Sequence, residues 1–412
     1  MTRSFPLTIF FVLFGIATCL GQNSKKYGFH LTGKDKRKSI SFDLVNNLIS
    51  IPASLMSSPP FGFIVDSGAG SVILTDKRIA DLLNLDFSRS IYLPSIGLVD
   101  SLLAYVTINT EISLNNGIVG GNLQMLVLEE DYLNLREHLG KDIYGIIGYP
   151  LFENFVVEIN YVRRLLTFHN PQTFKVPRKS QKLPLIFRND KPFVRTIIGV
   201  EGEKRTVELM IDTGAGHTLL LHENSIGKSL MPSTSVRTLV GQGTGGEIPG
   251  KIARVSHFSI GSYILKDVLV SIPDQEAYYD AVIGSSKSGT IGGGLLNRFN
   301  IILDYQNNSL YIKKNKNFTR PFKYDRSGLL VIVKGIDKKR WIVKAVDEGT
   351  PSFEASIRIG DEILSANDLD PNNIGLDGLN SLLRKREGKS IKLKIKRGNN
   401  KIRKNFKLRP RI

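Results

Sequence analysis

The chain has 412 residues, of which 41% are hydrophobic and 23% charged, and its formal net charge is +18. This composition is ordinary for a globular protein, and the length is sufficient for two or three domains. The single cysteine, Cys19, lies in the N-terminal apolar segment. Without that segment the chain can have neither a disulfide nor a thiolate that serves as a nucleophile or metal ligand.

The first 22 residues, MTRSFPLTIFFVLFGIATCLGQ, place one arginine before an apolar run that ends in small residues. This pattern predicts a secretory signal peptide over residues 1–21, with an uncleaved membrane anchor as the alternative. No later segment has 18 uninterrupted apolar residues, so no other transmembrane segment is expected. Export without disulfides favours a bacterial protein of the periplasm or the extracellular space.

Two segment pairs repeat along the chain in the same order. FIVDSGAGSVIL (63–74) and LMIDTGAGHTLLL (209–221) match at an offset of 146, and residues 145–168 match residues 289–312 at an offset of 144. The second pair aligns without a gap and has seven identical positions. The chain is therefore expected to contain two homologous halves.

Within each half, apolar residues mostly recur at every second position between Asn-Gly, Gly-Ser and Asn-Asn turns. This alternation predicts a mainly β fold. Short helices are expected only at residues 76–85 and 133–139 and in the turns after Gly148 and Gly292. A basic, proline-containing segment at about 170–184 predicts the boundary between the halves, and a second boundary is expected near residue 320.

An acidic residue, Asp66 or Asp212, stands in each repeat between an apolar run and a Ser/Thr-Gly-Ala-Gly turn. One Asp-Ser/Thr-Gly sequence is weak evidence, but two at equivalent places in a repeat are a strong signal. Glycine permits a tight turn, and the apolar flanks predict that both carboxylates are nearly buried, where ionisation is costly. The alternative, two solvated Asx turns at hairpin tips, predicts polar flanks instead.

The two halves resemble the lobes of an aspartic peptidase of the retropepsin/pepsin-like class. The resemblance implies a pseudo-twofold pair of double-ψ β-barrel lobes, over residues 25–170 and 184–316, and it makes Asp66 and Asp212 the catalytic pair. It also implies that the hydroxyls of Ser67 and Thr213 brace the two loops. Gly68 and Gly214 would then admit the water and the scissile bond. Because both lobes lie in one chain, a monomer is expected.

Alanine follows each Asp-Ser/Thr-Gly sequence, at Ala69 and Ala215, where many pepsin-like lobes have a hydroxyl residue. Without that donor the ionised pair loses support, so we expect it to titrate higher and the activity to lie at mildly acidic to neutral pH. Gly70 and Gly216 also depart from the polar residue common in the family.

A lobe of this class needs a flap over the substrate, and the candidates are hairpins around Tyr92–Leu102 and Leu239–Ile252. The second contains GQGTGG, but the proline and strand-like alternation that follow disfavour a dinucleotide site. The six histidines show no spacing typical of metal ligands. No cofactor and no metal are expected.

Residues 322–412 resemble a bacterial PDZ domain, a small α+β unit, most closely around residues 343–367. The resemblance implies peptide binding at Gly328, Leu329 and Leu330, with a simple packing module as the alternative. From residue 320 onward there are 23 Lys and Arg against 11 Asp and Glu. Because no aromatic residues alternate with these cations, a solvated face is favoured over a nucleic-acid partner.

Together these patterns predict an exported aspartic endopeptidase that hydrolyses protein or peptide substrates and carries a PDZ domain for an extended or C-terminal peptide ligand. The alternative is a non-catalytic peptide-binding scaffold that acts through its PDZ domain. A degenerate site is expected to have lost an aspartate or its glycine, and both loops are intact.

Overall fold

The computed structural model describes residues 27–94, 101–227, 230–274 and 288–412. The predicted signal peptide therefore lies outside the described residues. Strands dominate the described chain, which confirms the predicted mainly β fold. None of the helices in these ranges is long and apolar enough to cross a membrane.

Nine strands of the first half form one sheet, here called the N-terminal lobe. They are β1 (Gly28–Leu31), β3 (Asp43–Val45), β4 (Leu48–Leu55), β5 (Phe61–Val65), β6 (Val72–Leu74), β7 (Phe87–Pro94), β8 (Ser101–Leu114), β9 (Ile118–Leu128) and β10 (Ile143–Ile147). Strand β10 lies between β5 and β6, parallel to β5 and antiparallel to β6. The connection from β5 to β6 therefore passes over the end of β10.

Eight strands of the second half form the sheet of the C-terminal lobe. They are β14 (Ile186–Arg188), β15 (Lys191–Val200), β16 (Glu203–Ile211), β17 (Leu219–Leu221), β18 (Ser235–Gly243), β19 (Gly246–Ile260), β20 (Tyr263–Pro273) and β21 (Gly289–Ile291). Strand β21 lies between β16 and β17, parallel to the first and antiparallel to the second. The same arrangement of three strands therefore occurs in both lobes, in the segments that are repeated in the sequence.

A third sheet joins the two lobes, which the sequence did not predict. Its six strands, in the order β13–β23–β22–β11–β12–β2, are β2 (Arg37–Ser41), β11 (Val156–Asn160), β12 (Leu165–His169), β13 (Gln181–Pro184), β22 (Phe299–Asp304) and β23 (Ser309–Lys314). At its centre β11 pairs antiparallel with β22, each strand coming from one copy of the repeat. One buried apolar cluster runs through both lobes, so their relative position is set by a shared core.

The described helices are short and lie mostly where the sequence predicts them. They are α1 (Lys77–Leu82), α2 (Leu135–Leu139), α3 (Tyr149–Glu153), α4 (Glu223–Ile226), α5 (Gly293–Leu296), α6 (Pro351–Glu354) and α7 (Pro371–Leu383), with a 3-10 turn at Pro171–Thr173. Helix α1 begins after Asp76, whose side chain accepts a hydrogen bond from the Arg78 backbone N–H. Helices α3 and α5 begin directly after Gly148 and Gly292.

The C-terminal unit has its own five-stranded sheet and its own core, in which Trp341 is fully buried. Its strands, in sheet order, are β24 (Leu329–Lys334), β25 (Arg340–Val346), β26 (Glu362–Ala366), β27 (Ser390–Arg397) and β28 (Asn400–Lys407). Helix α7 covers the apolar face, and Asp370 forms a capping box at its start.

Candidate active site

The loops that carry Asp66 and Asp212 begin in the same way. Each aspartate directly follows three buried residues at the end of a strand, β5 or β16. The backbone N–H of Asp66 donates to the carbonyl of Ile147 at 3.0 Å, and the N–H of Asp212 donates to the carbonyl of Ile291 at 3.0 Å. The inserted strands β10 and β21 therefore fix the point at which each loop leaves its sheet.

Ser67 and Thr213 interlock the two loops, and both are fully buried. The Ser67 N–H donates to Thr213 Oγ1 at 3.0 Å, and the Thr213 N–H donates to Ser67 Oγ at 3.1 Å. Each hydroxyl also donates across the interface, Ser67 Oγ to the Ile211 carbonyl and Thr213 Oγ1 to the Val65 carbonyl, both at 2.8 Å. This reciprocal set holds the two loops in one fixed relationship.

Gly68 and Gly214 leave room for the facing carboxyl groups. A Cβ on Gly214 would lie 2.1 Å from Asp66 Cγ, and one on Gly68 would lie 3.1 Å from Asp212 Cγ. Each glycine N–H donates to its own aspartate, Gly68 to Asp66 Oδ1 at 2.7 Å and Gly214 to Asp212 Oδ1 at 2.9 Å. A side chain at Gly214 would therefore collide with Asp66, and one at Gly68 would press against Asp212, so the two glycines let the carboxyl groups come together.

The environment raises the pKa of both carboxyl groups. Burial is the largest cause for each, and the pKa of Asp212 is raised well above its ordinary value because the charge of Asp66 adds to that effect. The positive charge of Lys191 acts in the opposite direction on both groups. Two carboxyl groups this close cannot both ionise easily, so the pair retains a proton above the pH at which a free aspartate loses it.

Gly148 and Gly292, which end the repeated apolar-Gly sequences, pack against the backbone of the two aspartate loops. A Cβ on Gly148 would lie 2.2 Å from the Ala69 carbonyl oxygen, and one on Gly292 would lie 2.7 Å from the Ala215 carbonyl oxygen. The N–H groups of the next residues, Tyr149 and Gly293, donate to those same carbonyls at 2.8 and 2.7 Å. Each apolar-Gly sequence therefore holds the backbone of the aspartate loop that packs against it.

One supporting residue, Asn47, has no signal in the motifs. It lies in the turn between β3 and β4, and its Nδ2 donates to the carbonyl of Gly216 at 2.9 Å. Its Oδ1 accepts from Asn297 Nδ2 at 3.0 Å. A Cβ on Gly216 would lie 2.5 Å from the Asn46 carbonyl oxygen. Gly216 therefore departs from the family pattern because the turn of the other lobe packs against it.

Two further contacts hold the loops from behind, and both involve residues absent from the predicted site. His217 is partly buried, and its Nε2 lies 2.5 Å from Thr290 Oγ1. The Tyr305 hydroxyl donates to the Ser67 carbonyl at 3.5 Å, and its ring stacks on Phe152 with 5.3 Å between centroids. Only the position of Tyr305 in the repeat could have drawn attention to it.

Comparison with known families agrees with this geometry. Residues 197–287 match the family model described as aspartyl protease, and residues 323–408 match the one described as PDZ domain. The chain combines an aspartyl protease-like domain with a C-terminal PDZ domain. The first match includes the Asp212 loop, and the internal repeat relates the Asp66 loop to it. A search of curated proteins found no match.

Both predicted flap segments of the protease-like domain lie on β-hairpins. Residues 92–94 and 101–102 belong to hairpin β7–β8, while residues 95–100 between them lie outside the described residues. Residues 239–252 lie on hairpin β18–β19, where Gly243 pairs with Gly246 across the turn. The GQGTGG sequence therefore forms a hairpin and not the strand-to-helix turn of a dinucleotide site.

The three predicted peptide-binding residues of the PDZ domain lie at the start of its edge strand. Gly328 has φ +83°, and a Cβ there would lie 2.2 Å from Thr350 Oγ1, so this position requires glycine. Leu329 is buried in the core, and Leu330 pairs with Ala345 in β25. Within the described ranges, no group of three or more His, Asp or Glu side chains is placed to hold a metal ion.

Proposed function

We propose that the protein is an aspartic endopeptidase that hydrolyses peptide bonds with a water molecule activated between Asp66 and Asp212. The observation that carries the proposal is the interlocked pair of Asp-Ser/Thr-Gly loops, which brings both carboxyl groups to one point between the lobes. A non-catalytic scaffold has no need for this arrangement, because bringing two carboxyl groups together in a buried site costs free energy.

The two carboxyl groups take different roles in the proposed reaction. Asp66 and Asp212 share one proton and can exchange roles, and the group that holds the proton donates a hydrogen bond to the carbonyl oxygen of the scissile peptide. The other carboxyl group is ionised and accepts a proton from the water as the water attacks the carbonyl carbon. The shared proton then passes to the tetrahedral oxygen. As the C–N bond breaks, the proton taken from the water passes to the leaving nitrogen, and a hydroxyl of the intermediate returns a proton to the other carboxylate, which restores the pair.

In this proposal residues 25–170 and 184–316 act as the two lobes of one enzyme, and residues 322–412 act as its accessory PDZ domain. The enzyme works as a monomer, because both aspartates come from one chain. The substrates are proteins or peptides in extended conformation, held in the cleft between the lobes. The protein acts after export, in the periplasm or outside the cell.

The decisive experiment measures proteolysis of denatured casein by the full mature chain from pH 3 to 8. Asp212→Asn is compared with Asp35→Asn, an exposed aspartate outside the site. Cleavage by the wild-type protein and by Asp35→Asn, with none by Asp212→Asn, supports the proposal. No cleavage by the folded wild-type protein at any pH would favour the non-catalytic scaffold instead.

A further inference from the structure

Strand β24 forms the edge of the PDZ sheet at which a peptide could be added as a further strand. Strand β24 is terminal in its sheet and is paired only with β25. Helix α7 lies beside it, and Val333 of β24 and Leu376 of α7 belong to the same apolar cluster. Peptides bound by domains of this type extend the sheet at such an edge, next to the helix.

The end of this groove that would receive a terminal carboxylate is already closed. The Gly328 N–H donates to Asp325 Oδ2 at 2.6 Å, and the Ser327 N–H donates to Asp325 Oδ1 at 3.2 Å. The Leu329 N–H donates to Ser327 Oγ at 3.1 Å. The loop thus has an internal carboxyl group in place of an external one, and these N–H groups already have acceptors.

The other end of the groove holds a segment of the N-terminal lobe. Helix α2 ends at Gly140, which has φ +66°. A Cβ on Gly140 would lie 3.3 Å from Leu376 Cβ and 3.7 Å from Val333 Cγ1. The backbone at residue 140 is therefore seated between strand β24 and helix α7, where a bound peptide would lie.

Charges on both sides of this contact are complementary. Lys334 Nζ lies 2.6 Å from Glu137 Oε1, and Lys338 forms a second ion pair with Asp142. Both lysines belong to the PDZ domain and both acids to the segment 135–142 of the lobe. Matched charges at the two ends of a short segment fix its position and suppress other registers.

The PDZ domain also contacts the C-terminal lobe, at the hairpin β18–β19. Thr238 Oγ1 donates to Asp347 Oδ2 at 2.8 Å, and Lys344 Nζ lies 3.0 Å from Glu247 Oε1. The domain is thus held by both lobes at once. A peptide could enter the groove only if the contact with residues 135–142 were released.

We propose that the PDZ groove of this protein binds an internal segment of its own chain, residues 135–142, and that an external peptide must compete with this segment. In the docked state the domain does not recognise a free C-terminus. The proposal concerns the groove alone and does not depend on whether the protein cleaves peptides.

Crosslinking of the full mature chain tests the docking. The mature chain has no cysteine of its own, so Glu137→Cys with Lys334→Cys gives a unique pair for a short bismaleimide. The control pairs Glu137→Cys with Lys392→Cys, in a strand three positions away in the sheet. We expect at least tenfold faster intramolecular crosslinking of the first pair. Equal rates, or no crosslink while each cysteine still reacts with a monofunctional maleimide, would overturn the proposal.

Hydrogen–deuterium exchange tests the occupancy of the groove. In Glu137→Lys/Asp142→Lys, exchange over residues 329–334 and 371–383 should rise at least tenfold, while residues 390–407 remain as in the wild type. Adding Lys334→Glu and Lys338→Glu should return exchange to the wild-type rate. Unchanged exchange in the opened variant would overturn the proposal. So would a rise over the whole domain, because the segment would then be part of the folding core and not a ligand.

Discussion

The side-chain amide of Asn47, in the N-terminal lobe, donates a hydrogen bond to the backbone carbonyl of Gly216, in the C-terminal lobe, at 2.9 Å. The bond joins residues 169 positions apart in the chain. Gly216 lies in the loop that begins with Asp212, so a turn of one lobe supports the aspartate loop of the other. The side-chain amide of Asn297 donates a hydrogen bond to Asn47 Oδ1.

Asn47 is accordingly expected to act as a positioning residue for Asp212. Asn47 has φ +68°, so Asn47→Gly removes the amide without straining the backbone. We expect kcat to fall about tenfold or more with little change in KM, because small displacements of a reacting group are costly. Kinetic measurements on a peptide substrate check this.

Two further variants test whether the effect comes from the N–H group that Asn47 donates to Gly216. Asn47→Asp keeps an acceptor for Asn297 but loses the donor to Gly216, so it should lose activity as well. Asn405→Ala, on an exposed position of the PDZ domain, should behave as the wild type. Wild-type kcat in Asn47→Gly would contradict the positioning role.

Asp212→Asn should remove activity and also raise stability at neutral pH. The folded-state pKa of Asp212 lies well above its unfolded value, so its contribution to stability is present below about pH 3.8 and is lost as the pH rises through the folded pKa. The variant should therefore be more stable than the wild type at pH 7, because an amide avoids the ionisation that burial and the charge of Asp66 oppose. Urea unfolding at pH 7 and pH 3 measures the difference, which should vanish at pH 3.

The pH profile of activity should lie at mildly acidic to neutral pH and should move to lower pH in Ala215→Thr. The added hydroxyl can donate to the ionised pair and lower its pKa. Ala215→Val has the same shape without the hydroxyl and should not cause this shift. Profiles of kcat/KM against pH decide the matter, and a wild-type maximum at pH 2 to 3 would contradict the argument.

Acid should destabilise the protein through His217. Burial, with a smaller effect from His222, lowers the pKa of His217 to about 4. Stability from the neutral imidazole is thus present above pH 6.5 and is lost as the pH falls towards 4, by at most about 3 kcal/mol. His217→Gln, which can keep a hydrogen bond to Thr290, should reduce the loss between pH 7 and pH 4.5. An unchanged loss in urea unfolding would refute this.

The last two strands of the PDZ domain place like charges directly opposite each other. Lys394 faces Arg403, and Lys396 faces Lys401. Lys394→Glu should stabilise the protein by about 0.5 kcal/mol in low salt, because an opposite-charge pair replaces a repulsive one. The gain should disappear in 1 M salt. Lys407→Glu, which faces the uncharged Ser390, is the control and should give a smaller gain in thermal unfolding.

Much of the candidate site could be predicted because its signals are local and occur twice. The sequence around Asp66 and Asp212 has the glycines that a close approach requires and the apolar strands that bury it. The repeated apolar-Gly sequences at Gly148 and Gly292 likewise revealed the elements beneath the loops. Repetition made these short patterns informative, since each alone occurs often by chance.

The remaining support for the site could not be predicted, because it depends on contacts between residues that are distant in the chain. Asn47 lies in an ordinary turn, and only the packing of the two lobes brings it to Gly216. The six-stranded sheet that joins the lobes could not be predicted either. Alternating apolar residues predict that a segment is a strand, but not which other strands it pairs with.

The sequence by itself determined the β character, the duplication and the identity of the paired carboxylates. These features depend on backbone preferences and on alternating burial, which are properties of residues that are neighbours in the chain. Only the tertiary structure decided which turn supports the Asp212 loop and which segment lies in the PDZ groove. Those contacts, such as that of Gly140 with Leu376, join surfaces whose complementarity exists only after each domain has folded.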